Sequence, residues 1–368
     1  MLLTIIIISL YIFHANAPET ITETILKPNL PTYQRLFHGY KENVKCPCSQ
    51  ISIEYNSFMN LSISNQHVIC SSPFITSDWF ETLILPTLQS RNSPMDFKTS
   101  AIGFFQLLAY LCETTRQHII DELSDMLKRT VIHSYVVSYE QLHSEMRSII
   151  TQFQMDTSDS FFATLELVRS TMSDNQLVSL FQTNWKWTDF LIENPEDIGT
   201  ILHAKPIIYN HTCSCGLSSK CIQEYSSLKG LMIGCYPIES LLQSSLECFY
   251  NDSCFPLIQS TSRYFPSLNV SWPSRFPMNS TVESILKDLM VEEWNSRILY
   301  ERYYAACAPF SCDYFYIGSR SNVEIATSLL SLYGGLVIVV KFNIYIFVSL
   351  WHQLKKQRRM RQVSIPPA

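Results

Sequence analysis

The sequence predicts an α+β fold: a disulfide-rich extracellular domain with a central helical bundle, plus a C-terminal transmembrane helix. Three observations support this prediction. Twelve cysteines occur together with five glycosylation sequons, the middle of the chain follows a helical period, and a long apolar stretch lies near its end. The 368 residues suffice for one large domain or two smaller ones. The net charge of −5, without a basic aromatic patch, gives no reason to expect a nucleic-acid partner.

The N-terminal part of the sequence is a short apolar run. Residues 2–13 are mostly apolar, and Ala15-Asn16-Ala17 follows as an A-x-A site for signal peptidase. A run of this length is too short to cross a hydrocarbon core of about 30 Å. We interpret residues 1–17 as a signal peptide, with a truncated first transmembrane helix as the alternative because no Lys or Arg precedes the run. Both interpretations place Pro18 onward outside the cell.

Residues 18–322 form the predicted extracellular domain. An even, locally dense set of cysteines is typical of an oxidising compartment, and sequons between the two apolar ends indicate the same location. We expect Cys46 and Cys48, one residue apart, each to pair with a distant cysteine. We predict disulfides for Cys46, Cys48, Cys70, Cys112, Cys213, Cys215, Cys221, Cys235, Cys248, Cys254, Cys307 and Cys312. We predict N-glycosylation at Asn60, Asn210, Asn251, Asn269 and Asn279.

Four of these cysteines also have the pattern of a zinc cluster. Cys213 and Cys215 are followed by Cys221 and Cys235, and thiolates are good zinc ligands. In a secreted segment, however, the same cysteines are normally oxidised. We therefore predict disulfides here and no metal.

Residues 77–187 carry the predicted helical bundle. Only Cys112 lies there, Gly and Pro nearly vanish, and apolar residues recur three and four positions apart, as on one helix face. These apolar residues are Ile102, Phe104, Phe105, Leu108, Leu111, Ile119, Ile120, Leu123, Leu127, Phe161, Phe162, Leu165, Leu167 and Val168. We predict three to five helices and interpret the phenylalanines as core rather than as a ligand site.

Residues 201–316 form the predicted cysteine-rich part, with strands, loops and two helices. One helix follows Pro237, and the other opens at a capping box, Ser280-Thr281-Val282-Glu283. Upstream of both parts, residues 51–55 alternate apolar and polar side chains, which is a strand pattern. Disulfides hold the remainder together, each contributing about 2–4 kcal/mol.

Residues 325–350 form the predicted transmembrane helix, because this largely apolar stretch is long enough to span a bilayer with some tilt. The following tail, residues 351–368, contains no acidic residue. Its basic residues are Lys355, Lys356, Arg358, Arg359 and Arg361. The positive-inside rule therefore places the tail in the cytoplasm.

Two features of this helix bear on function. Lys341 is its one charge, and we interpret it as a pore-lining residue or a partner for an acidic residue on a neighbouring helix. The alternative is a lysine that snorkels to the interface. Gly334-Gly335 allows a close helix approach, which favours a homo-oligomer through the membrane helix, or else marks a flexible point.

The sequence holds no common catalytic or cofactor motif. It lacks the G-x-S-x-G elbow, the H-E-x-x-H pair, the P-loop and the G-x-G-x-x-G loop. The nine histidines are scattered along the chain. We therefore expect a non-enzymatic protein without a cofactor.

Several segments carry a resemblance to a known family. They are Cys46-Pro-Cys48-Ser with Ile51, Tyr55 and Phe58; Cys70-Ser-Ser; Val282-Glu-Ser-Ile with Met290-Val-Glu-Glu-Trp294; Tyr303-Tyr-Ala-Ala-Cys307-Ala-Pro-Phe-Ser-Cys312; and Leu332-Tyr-Gly-Gly-Leu336. In these segments, over most of its length, the chain resembles a large family of uncharacterised membrane proteins from bdelloid rotifers. Members of that family have an N-terminal membrane helix as well as the C-terminal one, which favours a first helix at residues 2–13.

The layout is also similar, more distantly, to degenerin/epithelial sodium channel subunits. Those have two helices around a large disulfide-rich ectodomain, and their second helix begins near a Gly-Gly, as at Gly334-Gly335 here. The small-x-Ser filter motif of that family is absent, and Phe342-Asn343-Ile344 stands in its place. The resemblance implies a trimeric cation channel in which Lys341 and Asn343 face other subunits.

We therefore expect a plasma-membrane protein with its ectodomain outside the cell and its C-terminus in the cytoplasm. The leading interpretation is a membrane-anchored extracellular glycoprotein, a receptor or adhesion module. Its expected partners are the lipid bilayer and an extracellular ligand or protein. The alternative is a divergent subunit of a degenerin-like cation channel.

Overall fold

The computed structural model describes residues 9, 11–12, 18–89, 95–194, 197–258, 263–319 and 322–362, and it is a mixture of helices and strands. The helices are α1 (Leu30–Tyr40), α2 (Tyr55–Phe58), α3 (Ser77–Gln89), α4 (Phe97–Lys128), α5 (Tyr139–Asp174), α6 (Pro237–Gln243), α7 (Phe255–Ile258), α8 (Val282–Lys287), α9 (Tyr300–Cys307) and α10 (Asn322–Gln362). The strands are β1 (Pro18–Leu26), β2 (Val44–Lys45), β3 (Ser52–Glu54), β4 (Met59–Gln66), β5 (Thr130–Ile132), β6 (Trp185–Asn194), β7 (Asp197–Pro206), β8 (Ile208–Tyr209), β9 (Cys213–Ser214), β10 (Ile222–Glu224), β11 (Met232–Gly234), β12 (Val291–Ile298) and β13 (Ser311–Ser319).

The chain forms two compact units. The first comprises residues 1–49, 134–136 and 308–368, and the second comprises residues 50–133 and 137–307. Each unit is therefore assembled from segments that are not contiguous in sequence.

The first unit is built on a three-stranded antiparallel sheet with the order β1-β13-β2. β1 pairs with β13 along its whole length, beginning with Pro18 opposite Ser319. A disulfide between Cys46 and Cys312 ties the segment after β2 to β13. The chain thus enters β1 and leaves β13 at the same end of the sheet, and α10 follows β13 directly.

A large aromatic core organises the second unit around α3 and α4. Trp79 of α3 is fully buried and packs edge-on against Phe74, Phe105 and Phe265, with ring centroids 4.9–5.2 Å apart. Such edge-to-face pairs contribute about 0.5–1.5 kcal/mol each beyond the area they bury. Phe104 and Phe105 of α4 are both buried, so these two phenylalanines belong to the core.

The two long helices begin at capping residues. Asp96 accepts a hydrogen bond from Lys98 N at 3.0 Å at the start of α4, and Ser138 accepts one from Gln141 N at 3.2 Å at the start of α5. These side chains satisfy backbone donors that the first helical turn leaves without an intrahelical partner. The caps therefore set where the 32-residue and 36-residue helices start.

The predicted capping box of α8 is wrong by one position. Its N-cap is Thr281, whose Oγ1 accepts from Ser284 N at 3.2 Å. Ser280 and Glu283 therefore do not have the capping roles that their spacing indicates. With Thr281 as the N-cap, the third helical position holds Ser284 in place of the Glu or Gln of a capping box.

All twelve cysteines are disulfide-bonded, as predicted. Cys46 pairs with a cysteine 266 positions away, as expected for one member of a C-x-C pair. In the second unit the bridges are Cys70–Cys112, Cys213–Cys221, Cys215–Cys235 and Cys248–Cys254. The four cysteines of the zinc alternative thus form two of these bridges.

Among the described residues, α10 is the one helix long and apolar enough to cross a membrane. Its candidate span is Val323–Arg358, with a mean hydropathy of 1.9. The helix begins three residues before the predicted span at residue 325 and continues into the basic tail as far as Gln362. The apolar run at residues 2–13 lies almost wholly outside the described residues.

Candidate ligand groove

An open groove of about 620 Å³ lies in the second unit along α4 and α5. Its volume is within the range of about 300–1,000 Å³ that is typical of small-molecule sites. The main apolar walls are Leu107, Leu111, Phe161, Leu165, Val168 and Met172. These walls come from one face of each long helix, so the groove follows the helix pair.

One end of the groove is polar. His118 of α4 places Nε2 3.0 Å from Thr157 O and 3.0 Å from Ser160 Oγ, both on α5. Because a carbonyl oxygen only accepts hydrogen bonds, Nε2 is the nitrogen that carries the proton. This contact joins the two helices at the polar end.

The mouth of that end is rich in hydrogen-bond acceptors. Gln117 and Asp121 both line this end, and Gln117 Nε2 donates to Asp121 Oδ1 at 2.9 Å. Gln117 Oε1 and the second carboxylate oxygen of Asp121 are acceptors outside that contact. Both side chains are exposed. A ligand group that donates hydrogen bonds or carries positive charge therefore suits this end, and a carboxylate does not.

The opposite end depends on a glycine. A Cβ added at Gly103 of α4 would clash with the edge of the Phe181 ring, so a side chain there would force this ring to shift. Pro237 and Ile238, at the start of α6, complete the end wall. The Phe181 ring thus forms an apolar stop against the backbone of α4.

The apolar stripe of α5 is only partly core. Phe161 and Leu165 are half-buried, whereas Val168 is 49 % exposed and Leu167 is 66 % exposed. Val168 and Leu167, which share the helical period of this stripe, are therefore not core residues. Val168 lines the groove and Leu167 does not, because a step of one residue turns a side chain by about 100° around the helix.

The proportions of the groove restrict its occupant. From Gly103 to Asp121 the groove follows α4 for about 27 Å, at the helical rise of about 1.5 Å per residue. With a volume of about 620 Å³ spread over that length, the groove is much longer than it is wide. An elongated occupant therefore suits its shape.

The five sequon asparagines lie on the surface of the second unit, and all are exposed. The Oδ1 atoms of Asn251 and Asn269 accept hydrogen bonds from the backbone N–H two residues later, at 3.0 and 2.8 Å. Asn210 Nδ2 donates to Ile222 O at 2.9 Å. None of the five lines the groove, and their glycosylation stays a prediction.

The predicted membrane-helix residues lie on α10. Gly334, Gly335 and Lys341 are all exposed, and a Cβ added at either glycine would meet nothing within 4 Å. This face of α10 is therefore open to a neighbouring helix or to lipid. The groove belongs to the other unit.

Comparison with protein-family models, with curated proteins and with solved structures gives no match. The interpretation of the groove therefore depends on its own geometry. Sequence reasoning missed Gly103, Phe181 and Asp121. One signal was present: Gly103 interrupts an otherwise helix-favouring apolar stretch, and a glycine in a helix interior often marks a close packing contact.

Proposed function

We propose that this protein is a membrane-anchored extracellular glycoprotein of receptor type that binds an elongated, mostly apolar ligand in the groove. The ligand class is a long aliphatic chain with an amine or hydroxyl at one end. The observation that carries the proposal is the groove itself: a narrow apolar trough between α4 and α5 with acceptor oxygens at Gln117 and Asp121. No reaction is assigned to it.

Three features support the anchored, extracellular location. α10 has the length and hydropathy of a membrane span. The basic residues that follow the predicted span favour a cytoplasmic C-terminus. The disulfides and the exposed sequons suit the opposite, oxidising side of the membrane.

A photoreactive probe tests the ligand class directly. The probe is a long-chain primary amine with a diazirine in its chain, applied to membranes from cells that express the full-length protein. Irradiation should attach it to the tryptic peptide 148–169, which carries Phe161, Leu165 and Val168. Mass spectrometry of the digested protein locates the attachment.

Two neighbouring residues give a matched pair of variants. Val168→Glu places a charge on the apolar wall of the groove and should lower labelling about tenfold or more, because an aliphatic chain that covers this wall must remove water from the carboxylate. Leu167→Glu adds the same charge one residue away, outside the groove, and should leave labelling unchanged. Equal labelling of both variants, or labelling confined to α10, would contradict the proposal.

A second candidate is a subunit of a degenerin-like cation channel, and the pairing of β1 with β13 favours it. Pro18 lies opposite Ser319, so β1 begins and β13 ends at the same end of the sheet. Two neighbouring membrane helices need that arrangement. In this candidate the groove would take the ligand that controls the pore.

Current recording and N-terminal mapping test this second candidate. The full-length protein should conduct cations when expressed in cells, and Lys341→Leu should change or abolish the current. Cleavage after Ala17 in the mature protein would leave α10 as the only membrane span predicted from this sequence. That outcome would eliminate the two-helix channel and leave the anchored receptor.

A further inference from the structure

A second hollow in the second unit has a sequon asparagine in its wall. It measures about 590 Å³, and its aromatic and apolar walls include Tyr250, Trp272, Phe276 and Met278. Asn279 lines the same hollow and is exposed. Because Trp272 is 56 % exposed, much of its indole ring faces solvent at this site.

The sequon is held in a defined turn. Ser280 N donates to Pro277 O at 2.9 Å, and Thr281 caps α8 through its side chain. Both residues that follow Asn279 in the sequon are therefore fixed by hydrogen bonds. A group attached to Asn279 would start from a set position beside the hollow.

We propose that the first sugars of an N-linked glycan on Asn279 occupy this hollow and stack on Trp272. The inference rests on the extracellular location in the proposed function, where the oligosaccharide donor is available. In the transfer, Asn279 Nδ2 forms a bond to C1 of the first sugar. The bond from that carbon to the lipid diphosphate of the donor breaks, and the amide nitrogen loses one proton.

The walls match the two surfaces of a sugar ring. One face of a pyranose carries C–H groups, which pack on the electron-rich face of an indole ring. The hydroxyl groups need oxygen partners, and Glu247 and Ser274 supply acceptors at the same hollow. Covalent attachment keeps the sugar at an effective concentration in the millimolar range, so weak stacking suffices.

Asn60 provides a comparison within the same unit. It is also an exposed sequon asparagine, and it lies on β4 opposite Arg297. It is not among the residues that line the hollow. A glycan on Asn60 is therefore not expected to contact Trp272. Asn269 does not serve as the control, because its O accepts a hydrogen bond from Trp272 N at 3.1 Å.

The test uses the full-length protein produced in cells with a eukaryotic secretory pathway. Glycopeptide mass spectrometry first measures the occupancy of all five sequons. Thermal unfolding then compares Asn279→Gln and Asn60→Gln, each with and without Trp272→Ala. Asn279→Gln should lower Tm by about 2–4 °C in the native background, about the effect of 1 kcal/mol in a domain of this size. In the Trp272→Ala background, Asn279→Gln should cause no further change in Tm. Asn60→Gln should change Tm in neither background.

The outcomes separate this inference from the proposed function. If Asn279 carries no glycan while other sequons do, this inference is overturned and the proposed function is not affected. Equal effects of Asn279→Gln with and without Trp272 also overturn it. Five empty sequons would instead contradict the extracellular location itself.

A second measurement avoids any folding defect of the Trp272 variant. Hydroxyl-radical footprinting of the unmutated protein, before and after enzymatic removal of the glycans, reports the exposure of each tryptophan. Oxidation of Trp272 should rise severalfold on glycan removal, while Trp294 stays constant. Equal oxidation of Trp272 in both samples would overturn the proposal.

Discussion

Arg169 of α5 and Glu239 of α6 form a two-point ion pair inside the second unit. Arg169 Nη2 lies 2.6 Å from Glu239 Oε2, and Nε donates to Oε1 at 2.7 Å. Their side chains are 7 % and 3 % exposed. Arg169 also reaches Glu166 at 2.8 Å and Glu283 at 3.6 Å, so one guanidinium joins α5, α6 and α8. The hydrogen bond to Glu239 raises the pKa of Arg169, which keeps it charged.

We expect Arg169→Met to destabilise the second unit by about 3–5 kcal/mol, because it leaves Glu239 buried without its partner. Arg169→Met combined with Glu239→Met should recover most of the loss, since an apolar pair has no charge to desolvate. Urea unfolding of the purified protein, followed by tryptophan fluorescence, measures both effects.

The control for this pair is Arg116→Met. Arg116 and Glu113 form an ion pair on an exposed face of α4, where water and salt screen the charges. Loss of this exposed ion pair should change the free energy of unfolding very little. If Arg169→Met were equally mild, the buried pair would not hold the three helices together.

The disulfides should differ in their contributions according to loop length. Cys70–Cys112 closes a loop of 42 positions and Cys213–Cys221 one of 8. Loop-closure entropy then gives about 4 kcal/mol for the first and about 2.5 kcal/mol for the second. Replacing each pair by Ser should reproduce that order in urea unfolding. A larger loss for the short loop would mean that strain or residual unfolded structure dominates.

Acidification should destabilise the second unit through His67. This residue is 2 % exposed, and its Nδ1 accepts from Ile69 N at 3.3 Å. Burial lowers the pKa of His67 below its ordinary value of 6.5, against a smaller opposing effect of Glu292. The folded state therefore favours the neutral ring. Its stability contribution is complete above pH 6.5 and is lost as the pH falls below that value.

His67→Asn isolates this effect, because asparagine is also a good N-cap but does not titrate. The variant should lose less stability between pH 7.5 and pH 5 than the unmutated protein. Burial also lowers the pKa of His143, so a smaller pH dependence should persist in the variant. Identical slopes in thermal unfolding across this pH range would show that His67 does not contribute.

Periodicity indicated helices where α4 and α5 lie, since apolar residues recur there three and four positions apart, but the central bundle of three to five helices stays a prediction. Periodicity could not show which neighbouring elements pack against the apolar face of each helix. Phe105 packs into the aromatic core, whereas Val168, with the same pattern, lines an open groove. The difference depends on the neighbouring elements, such as the Phe181 ring and α6, which are distant in sequence.

The pairing of β1 with β13 was not predictable either. The partners Pro18 and Ser319 are separated by nearly the whole chain, and the exposure of β1 alternates only weakly. Local patterns carry little information about such a contact, because strand register is set by the partner and by the packed face. The cysteines gave the better indication, since Cys46 was expected to pair far away and does so with Cys312.

Asp121 should determine which end group the groove accepts. Asp121→Asn removes the charge but keeps an acceptor for Gln117 Nε2, so the fold of α4 should be unaffected. Labelling by the long-chain amine probe should fall about threefold to tenfold, the loss of a charge-assisted hydrogen bond at a partly solvated site. A probe with a carboxylate end should label weakly before the change and more strongly after it. Unchanged labelling by both probes would show that the end group lies elsewhere.

Gly103→Ala should close the far end of the groove and also reveal why a glycine stands in α4. Helix propensity alone favours alanine by about 1 kcal/mol. The new Cβ would clash with the edge of the Phe181 ring, and such overpacking typically costs about 1–3 kcal/mol. The clash should win, so Gly103→Ala lowers both stability and amine-probe labelling. Adding Phe181→Leu removes the tip of the ring, so the double variant should regain both stability and probe labelling. Urea unfolding measures the stability, and labelling of peptide 148–169 measures probe binding. If the single variant is instead more stable and binds normally, the Phe181 ring is not a fixed end wall.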